Sequence, residues 1–174
     1  MVKKRPPTRR VRRPARFENG LIYLPLGGGF EAIVDDTPEN RELTCFANWH
    51  RSSPRGPDGP HYAATNLPNR GGIAKLHRML IADAPIVDHI NRNGLDNRLC
   101  NLRVATQSQN MMNTPPPRGR AVKGAYLRST GKWQCLININ GKLVSGGTFV
   151  TMEAAHARWL ELATVRNPDF VRGS

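Results

Sequence analysis

The chain has 174 residues, with 26 Lys or Arg against 13 Asp or Glu, for a formal net charge of +13. A hydrophobic content of 39%, with 16 Gly and 14 Pro, argues against one thick core and for small, loop-rich modules. The chain has no apolar run of the roughly 18 residues that a membrane span needs, and no apolar stretch follows its basic start. A cytoplasmic protein without a secretory signal is therefore expected.

Residues 1–19 read as a basic arm. The first 16 hold eight Lys or Arg, three prolines and no acid, which cannot bury a core and leaves only +5 on the rest. Arg9, Arg10, Arg12 and Arg13 are candidates for tracking a phosphate backbone or entering a minor groove. A solvated tail or an address signal is the alternative.

Residues 20–67 read as short strands. Gly20–Leu26 is apolar and runs into Gly27-Gly28-Gly29, and Phe30–Asp35 partly alternates. Thr37-Pro38 opens a short helix. Thr44–Trp49 and His61–Asn66 resemble a hairpin around a Ser/Pro/Gly loop. The glycine triplet lacks the Lys-Ser/Thr of a phosphate loop, and Trp49 and Tyr62 are read as packing residues.

Residues 77–113 carry the chemistry. His77–Ile81 reads as a short helix. Ile86-Val87-Asp88-His89-Ile90 is a β-branched strand signal, Asn93-Gly94 a turn, and Leu102–Val104 a returning strand with Asn101 at its entrance. Thr106-Gln107-Ser108-Gln109 fits a capping box, which places Asn110 fourth in a helix. Asp88 offers a hard anionic oxygen, His89 a base near neutrality and Asn110 an amide oxygen. One carboxylate with one amide suits Mg²⁺. Neighbours on a strand point to opposite faces, so the strand is expected to end, bulge or twist at Asp88-His89.

The string VDHINRNGLDNRLCNLRVATQSQN resembles the HNH endonuclease motif of the ββα-metal fold, in the phage and intron homing branch whose last position is Asn. The resemblance implies that Asp88 and Asn110 bind Mg²⁺ or Mn²⁺ and that His89 is the general base. It implies that Asn101 orients loop and strand, and that His77-Arg78 match an upstream His-Arg. His77 is taken as catalytic, with packing or phosphate contact as the alternatives. Arg78 and Arg103 join the candidates for DNA contact.

Thr114–Arg120 reads as a stiff Pro-rich linker whose Arg118 and Arg120 are candidates for phosphate contact. Beyond it, Gly124–Arg128, Lys132–Ile139 and Lys142–Ser145 running toward Phe149 read as three strands, and Thr151 caps a helix from Met152 to about Val165. Gly131 and Asn140-Gly141 supply the turns. Trp133, Cys135, Ile137 and Ile139 share the face expected to pack on Ala155, Trp159 and Leu162. This segment is similar to the DNA-binding domain of plant ethylene-response factors. The similarity lies in Lys123-Gly124, Gly131-Lys132-Trp133, Asn140-Gly141-Lys142, Gly147-Thr148-Phe149 and Glu153-Ala154-Ala155. It implies a sheet laid in the major groove, with Lys123, Arg128, Lys132, Gln134, Asn138 and Lys142 as candidate contacts. His156-Ala157-Arg158 departs from that family's Ala-Tyr-Asp.

The expected fold class is α+β: a β-rich lead-in, a ββα-metal nuclease unit, then a three-stranded antiparallel sheet on one helix. The expected domains are an arm (1–19), a nuclease with its lead-in (20–113), a linker (114–120) and a recognition domain (121–174). The expected function is site-specific, metal-dependent cleavage of double-stranded DNA by a monomer or homodimer, without a small-molecule cofactor. A non-catalytic DNA-binding regulator that retains the nuclease fold is the alternative, and an RNA-binding sheet a third. Cys45, Cys100 and Cys135 stand singly, so neither a zinc knuckle nor a disulfide framework is expected.

Overall fold

Alternating burial fixes the first sheet. The computed structural model describes residues 13–53, 56, 59–117, 119–139 and 141–170. Arg9, Arg10, Arg12, Arg118 and Asn140, singled out above, lie outside the described residues. Strand β1 (Arg16–Glu18) pairs with β2 (Leu21–Gly27), which pairs with β3 (Phe30–Asp35), antiparallel throughout. Every second residue of β2 turns inward, so Ile22, Leu24 and Leu26 meet Ala32 and Val34 of β3 in a core. Gly27, Gly28 and Gly29 all take positive φ, which makes the triplet the hairpin turn between β2 and β3.

Thr37 then caps helix α1 (Pro38–Cys45), its hydroxyl accepting from the Asn40 N–H, with Pro38 in the first turn. The expectation of a strand over Thr44–Trp49 is corrected here. The Thr44 hydroxyl donates to the Asn40 carbonyl inside the helix, and the Trp49 indole N–H donates back to the Thr44 carbonyl. The pairing strand starts only at β4 (His50–Ser52), beside β5 (Tyr62–Asn66) and β6 (Ile73–Lys75), again antiparallel. Helix α2 (Leu76–Leu80) follows directly and buries Leu76 in the same core as Trp49 and Ala63.

Next come β7 (Ile86–His89) and β8 (Leu102–Ala105), which form a two-stranded sheet, and helix α3 (Gln107–Asn113). Both hydrogen bonds of the capping box are made: Thr106 Oγ1 accepts from the Gln109 N–H, and Gln109 Oε1 from the Thr106 N–H. The C-terminal sheet has the order β11 (Lys142–Phe149), β10 (Trp133–Ile139), β9 (Ala125–Leu127). It is antiparallel, and the β10–β11 register shifts between Cys135 and Leu136. Helix α4 (Met152–Arg166), capped by Thr151, lays Ala155, Trp159 and Ala163 on Cys135 and Ile137. The mixed α+β class and the sheet-on-helix packing agree with the sequence reading.

The described residues pack as two compact units: 13–83 with Asn93–Arg103, and Ala84–Arg92 with 104–170. Helix α3 therefore belongs with the C-terminal sheet and α4. Cys45 and Cys100 are exposed and free, whereas Cys135 is buried, which pushes its thiol pKa up. Among the described residues no helix is long and apolar enough to cross a membrane.

Candidate active site

Strand β7 ends at His89, as the strand conflict at Asp88-His89 requires. The Arg92 N–H returns to the His89 carbonyl at 2.9 Å, and Arg92 takes the left-handed conformation with φ 65°. Both side chains of the pair are withdrawn from solvent, Asp88 at 5% and His89 at 6% exposure.

A third residue, which the sequence reading left without a role, joins them. Asn113, 3% exposed, donates its side-chain amide to Asp88 Oδ1 at 3.0 Å, Asp88 Oδ2 at 3.1 Å and the His89 carbonyl at 2.8 Å. A buried carboxylate costs several kcal/mol unless donors reach it, and this amide serves both of its oxygens. Asn113 lies one turn beyond Asn110 on α3, and residues three apart share a helix face. That spacing is the only sequence signal that could have pointed to it. Asn113 Oδ1 is buried without a hydrogen-bond partner.

By chemistry alone, one carboxylate (Asp88) and one amide oxygen (Asn110) suit a hard divalent cation. Among the described residues no group of three or more His, Cys, Asp or Glu is placed to hold a metal ion.

In the first unit the loop after β7 is pinned residue by residue. Leu95 and Asn97 exchange backbone hydrogen bonds with Ile33 of β3, each 2.8 Å long. The Leu99 N–H donates to Asp35 Oδ2 at 2.7 Å. Arg98 grips both oxygens of Asp96, at 2.8 and 2.7 Å, and this hydrogen-bonded carboxylate drives the guanidinium pKa further up. Asn101, buried, donates its amide to the Asp96 carbonyl at 2.7 Å, so it shapes the loop at the entrance of β8. Gly94 acts here through its lack of a side chain, since a Cβ would overlap the His61 carbonyl and the Tyr62 ring. The left-handed residue of the turn is Arg92, not the Asn93-Gly94 pair.

His77 is buried on α2, its ring 5.4 Å from that of Tyr62. Lys75 lies 4.5 Å over the same tyrosine, its pKa lowered by burial and then by Arg78. Arg78 is exposed and Arg103 half-buried. Arg13 is exposed ahead of β1, and Arg120 lies 4.4 Å over the Tyr126 ring.

On the C-terminal sheet Arg128, Lys132, Asn138 and Lys142 are exposed. Gln134 donates to the Ser145 hydroxyl across the strands, and Asn138 Oδ1 accepts from the Gly141 N–H. Lys123 is engaged inside the second unit: its ammonium donates to the Met111 and Met112 carbonyls, both at 2.8 Å.

With this geometry in place, comparison with protein families matches residues 83–112 to the HNH endonuclease family. The match spans β7, the pinned loop, β8 and nearly all of α3. The chain thus carries an HNH endonuclease domain, which marks it as a phosphodiester hydrolase acting on DNA. HNH nucleases generally use a divalent metal. Comparison with curated proteins finds no match, and comparison with solved structures finds none either.

Proposed function

We propose that the protein is a site-specific, homing-type HNH endonuclease that hydrolyses one phosphodiester bond of double-stranded DNA at each catalytic unit. The observation that carries this reading is the join between β7 and α3. Asp88 and His89 are consecutive at a strand end, and the helix that bears Asn110 holds Asp88 through Asn113.

In this reading Asp88 and Asn110 are the ligands of a divalent ion, Mg²⁺ or Mn²⁺, which when bound supplies positive charge beside the scissile phosphate. His89 takes a proton from the attacking water as its oxygen adds to phosphorus and the bond to the 3′ oxygen breaks. Asn101 fixes the loop that leads into β8. His77 is the proposed further catalytic residue, and Arg78 and Arg103 are proposed phosphate contacts.

The second part of the proposal concerns site choice. The three-stranded sheet on α4 has the layout expected of an ethylene-response-factor-like reader, and a β-ribbon fits the major groove. Exposed Arg128, Lys132, Asn138 and Lys142 are the proposed contacts, with Gln134 tied to Ser145 beside them. The arm and the 114–120 stretch add phosphate contacts that raise affinity without sequence preference. A monomer then nicks, and a double-strand break needs a homodimer or two successive events.

The test is incubation with supercoiled plasmid and with genomic DNA, with Mg²⁺ or with a chelator, followed by mapping of the ends. Mg²⁺-dependent nicks or breaks at recurring positions are expected. Cleavage that persists in chelator would overturn the metal dependence, and no cleavage with Mg²⁺ or Mn²⁺ would overturn the nuclease reading. Random ends would overturn site choice.

A further inference from the structure

The last carbonyls of a helix have no partner within it, and a nearby cation commonly satisfies them. At the end of α3 this cation is Lys123, from the segment that leads into β9. Further contacts seat the same helix end. Met112 packs against the core formed by the C-terminal sheet and α4, and its sulfur accepts from the Asn167 side-chain amide at 3.3 Å. His156 of α4 donates its Nδ1–H to the Lys123 carbonyl at 2.8 Å. Its ring stacks on Trp159 with centroids 5.9 Å apart, and the Lys123 ammonium lies 5.7 Å over Trp159. Gly124 lets the backbone pass so close to Trp159, because any Cβ there would overlap the indole.

His156 thus has a use where the plant pattern has another residue: it holds the backbone of the lysine that holds α3. We propose that Lys123 is a positioning residue of the nuclease centre, fixing the helix that carries Asn110 and Asn113 to the C-terminal sheet unit. Lys123 acts on the reaction through α3 and not through a phosphate. The C-terminal unit is accordingly part of the catalytic apparatus as well as a reader of sequence. This inference rests on the nuclease reading above.

The experiment compares wild type, Lys123→Met and Lys123→Arg in the full chain. Methionine keeps the stem against Trp159 and removes the donors, while arginine restores donors. Tryptophan fluorescence melts show whether the sheet unit stays folded. Two readouts are then taken: cleavage at saturating DNA with Mg²⁺, and hydrogen exchange of the 110–114 amides without DNA or metal.

Lys123→Met is expected to cut roughly 10- to 100-fold more slowly at saturation, the usual effect of losing a support behind a metal-site residue. DNA affinity and its salt slope should hold, the α3 amides should exchange faster, and Lys123→Arg should recover most of the rate. Unchanged α3 exchange would overturn the proposal. So would unchanged cutting at saturation with a salt slope shallower by about one, the mark of a lost phosphate contact. A wild type that never cuts sinks the nuclease reading instead, and the exchange comparison then decides the anchor on its own.

Discussion

The side-chain amide of Asn113 donates to both carboxylate oxygens of Asp88, at 3.0 and 3.1 Å, across 25 residues of sequence. It ties the end of β7 to α3, the helix that also bears Asn110, and it orients the carboxylate proposed to carry the cation.

Asn113→Ala should therefore act on both stability and rate. It strips donors from a buried carboxylate and leaves the His89 carbonyl without this partner, a loss of about 1–3 kcal/mol. Cleavage should fall roughly 10- to 100-fold, with the Mg²⁺ titration midpoint moved to higher concentration. Thermal melts and a metal titration of nicking check both. A variant that keeps wild-type rate at low Mg²⁺ would show that Asp88 does not depend on this amide.

His89→Ala should separate chemistry from grip. Losing a general base costs roughly 10²- to 10⁴-fold in rate, while DNA affinity should stay within a few-fold. Plasmid nicking and gel-shift titrations measure the two. An equal loss of both would assign His89 to the fold.

Gly124→Ala should be severely destabilising for two separate reasons. Gly124 has φ 71°, where an L side chain is strained, and its Cβ would overlap Trp159. Overpacking alone costs about 1–3 kcal/mol, and the backbone strain adds to it. A denaturant melt followed through tryptophan fluorescence reads the change. Near-wild-type stability would mean that α4 can shift away from β9.

The Lys123 ammonium gives a pH signature. Burial, and then Arg92, lower its pKa to about 8 from the ordinary 10.5. Between those values the unfolded chain binds a proton that the folded chain has released, so folding stability rises with pH across this window. The two carbonyls still receive N–H donors from the neutral amine. Wild type should thus gain melting temperature relative to Lys123→Met as pH rises from about 8 toward 10.5. A relative loss over that range would reverse the sign of the burial argument.

Removing residues 1–12 takes six Lys and Arg with them. If these meet phosphates, the dependence of DNA affinity on salt should flatten. Filter-binding or gel-shift series at several salt concentrations measure the slope, and an unchanged slope would exclude the arm from the DNA.

Much of the nuclease segment was legible because its signals are local. Thr106 and Gln109 face each other across one turn and make both bonds that their spacing implies. The apolar alternation of Leu21–Gly27 and the sheet face of Cys135 and Ile137 were legible for the same reason. Thr44–Trp49 misled because its composition suits a strand, whereas the Thr37-Pro38 start propagates helix as far as Cys45. Gly94 was read as a turn residue, but its need arises from His61 and Tyr62, some thirty positions upstream. Asn113 and Lys123 were opaque for a related reason. An amide and a lysine look alike in sequence whether they face water, DNA or a buried partner, and only tertiary packing assigns that partner.

The lysine seat at the end of α3 also decides how this protein can be re-engineered. A chimera that exchanges the proposed recognition sheet at the Pro-rich stretch would put its seam between Met112 and Lys123, cutting α3 away from its clasp. A graft that carries β7, the end of β8 and α3 along with the new sheet would leave that clasp whole. On the proposed reading, exchanging specificity in this protein means transplanting half of its proposed cutting centre.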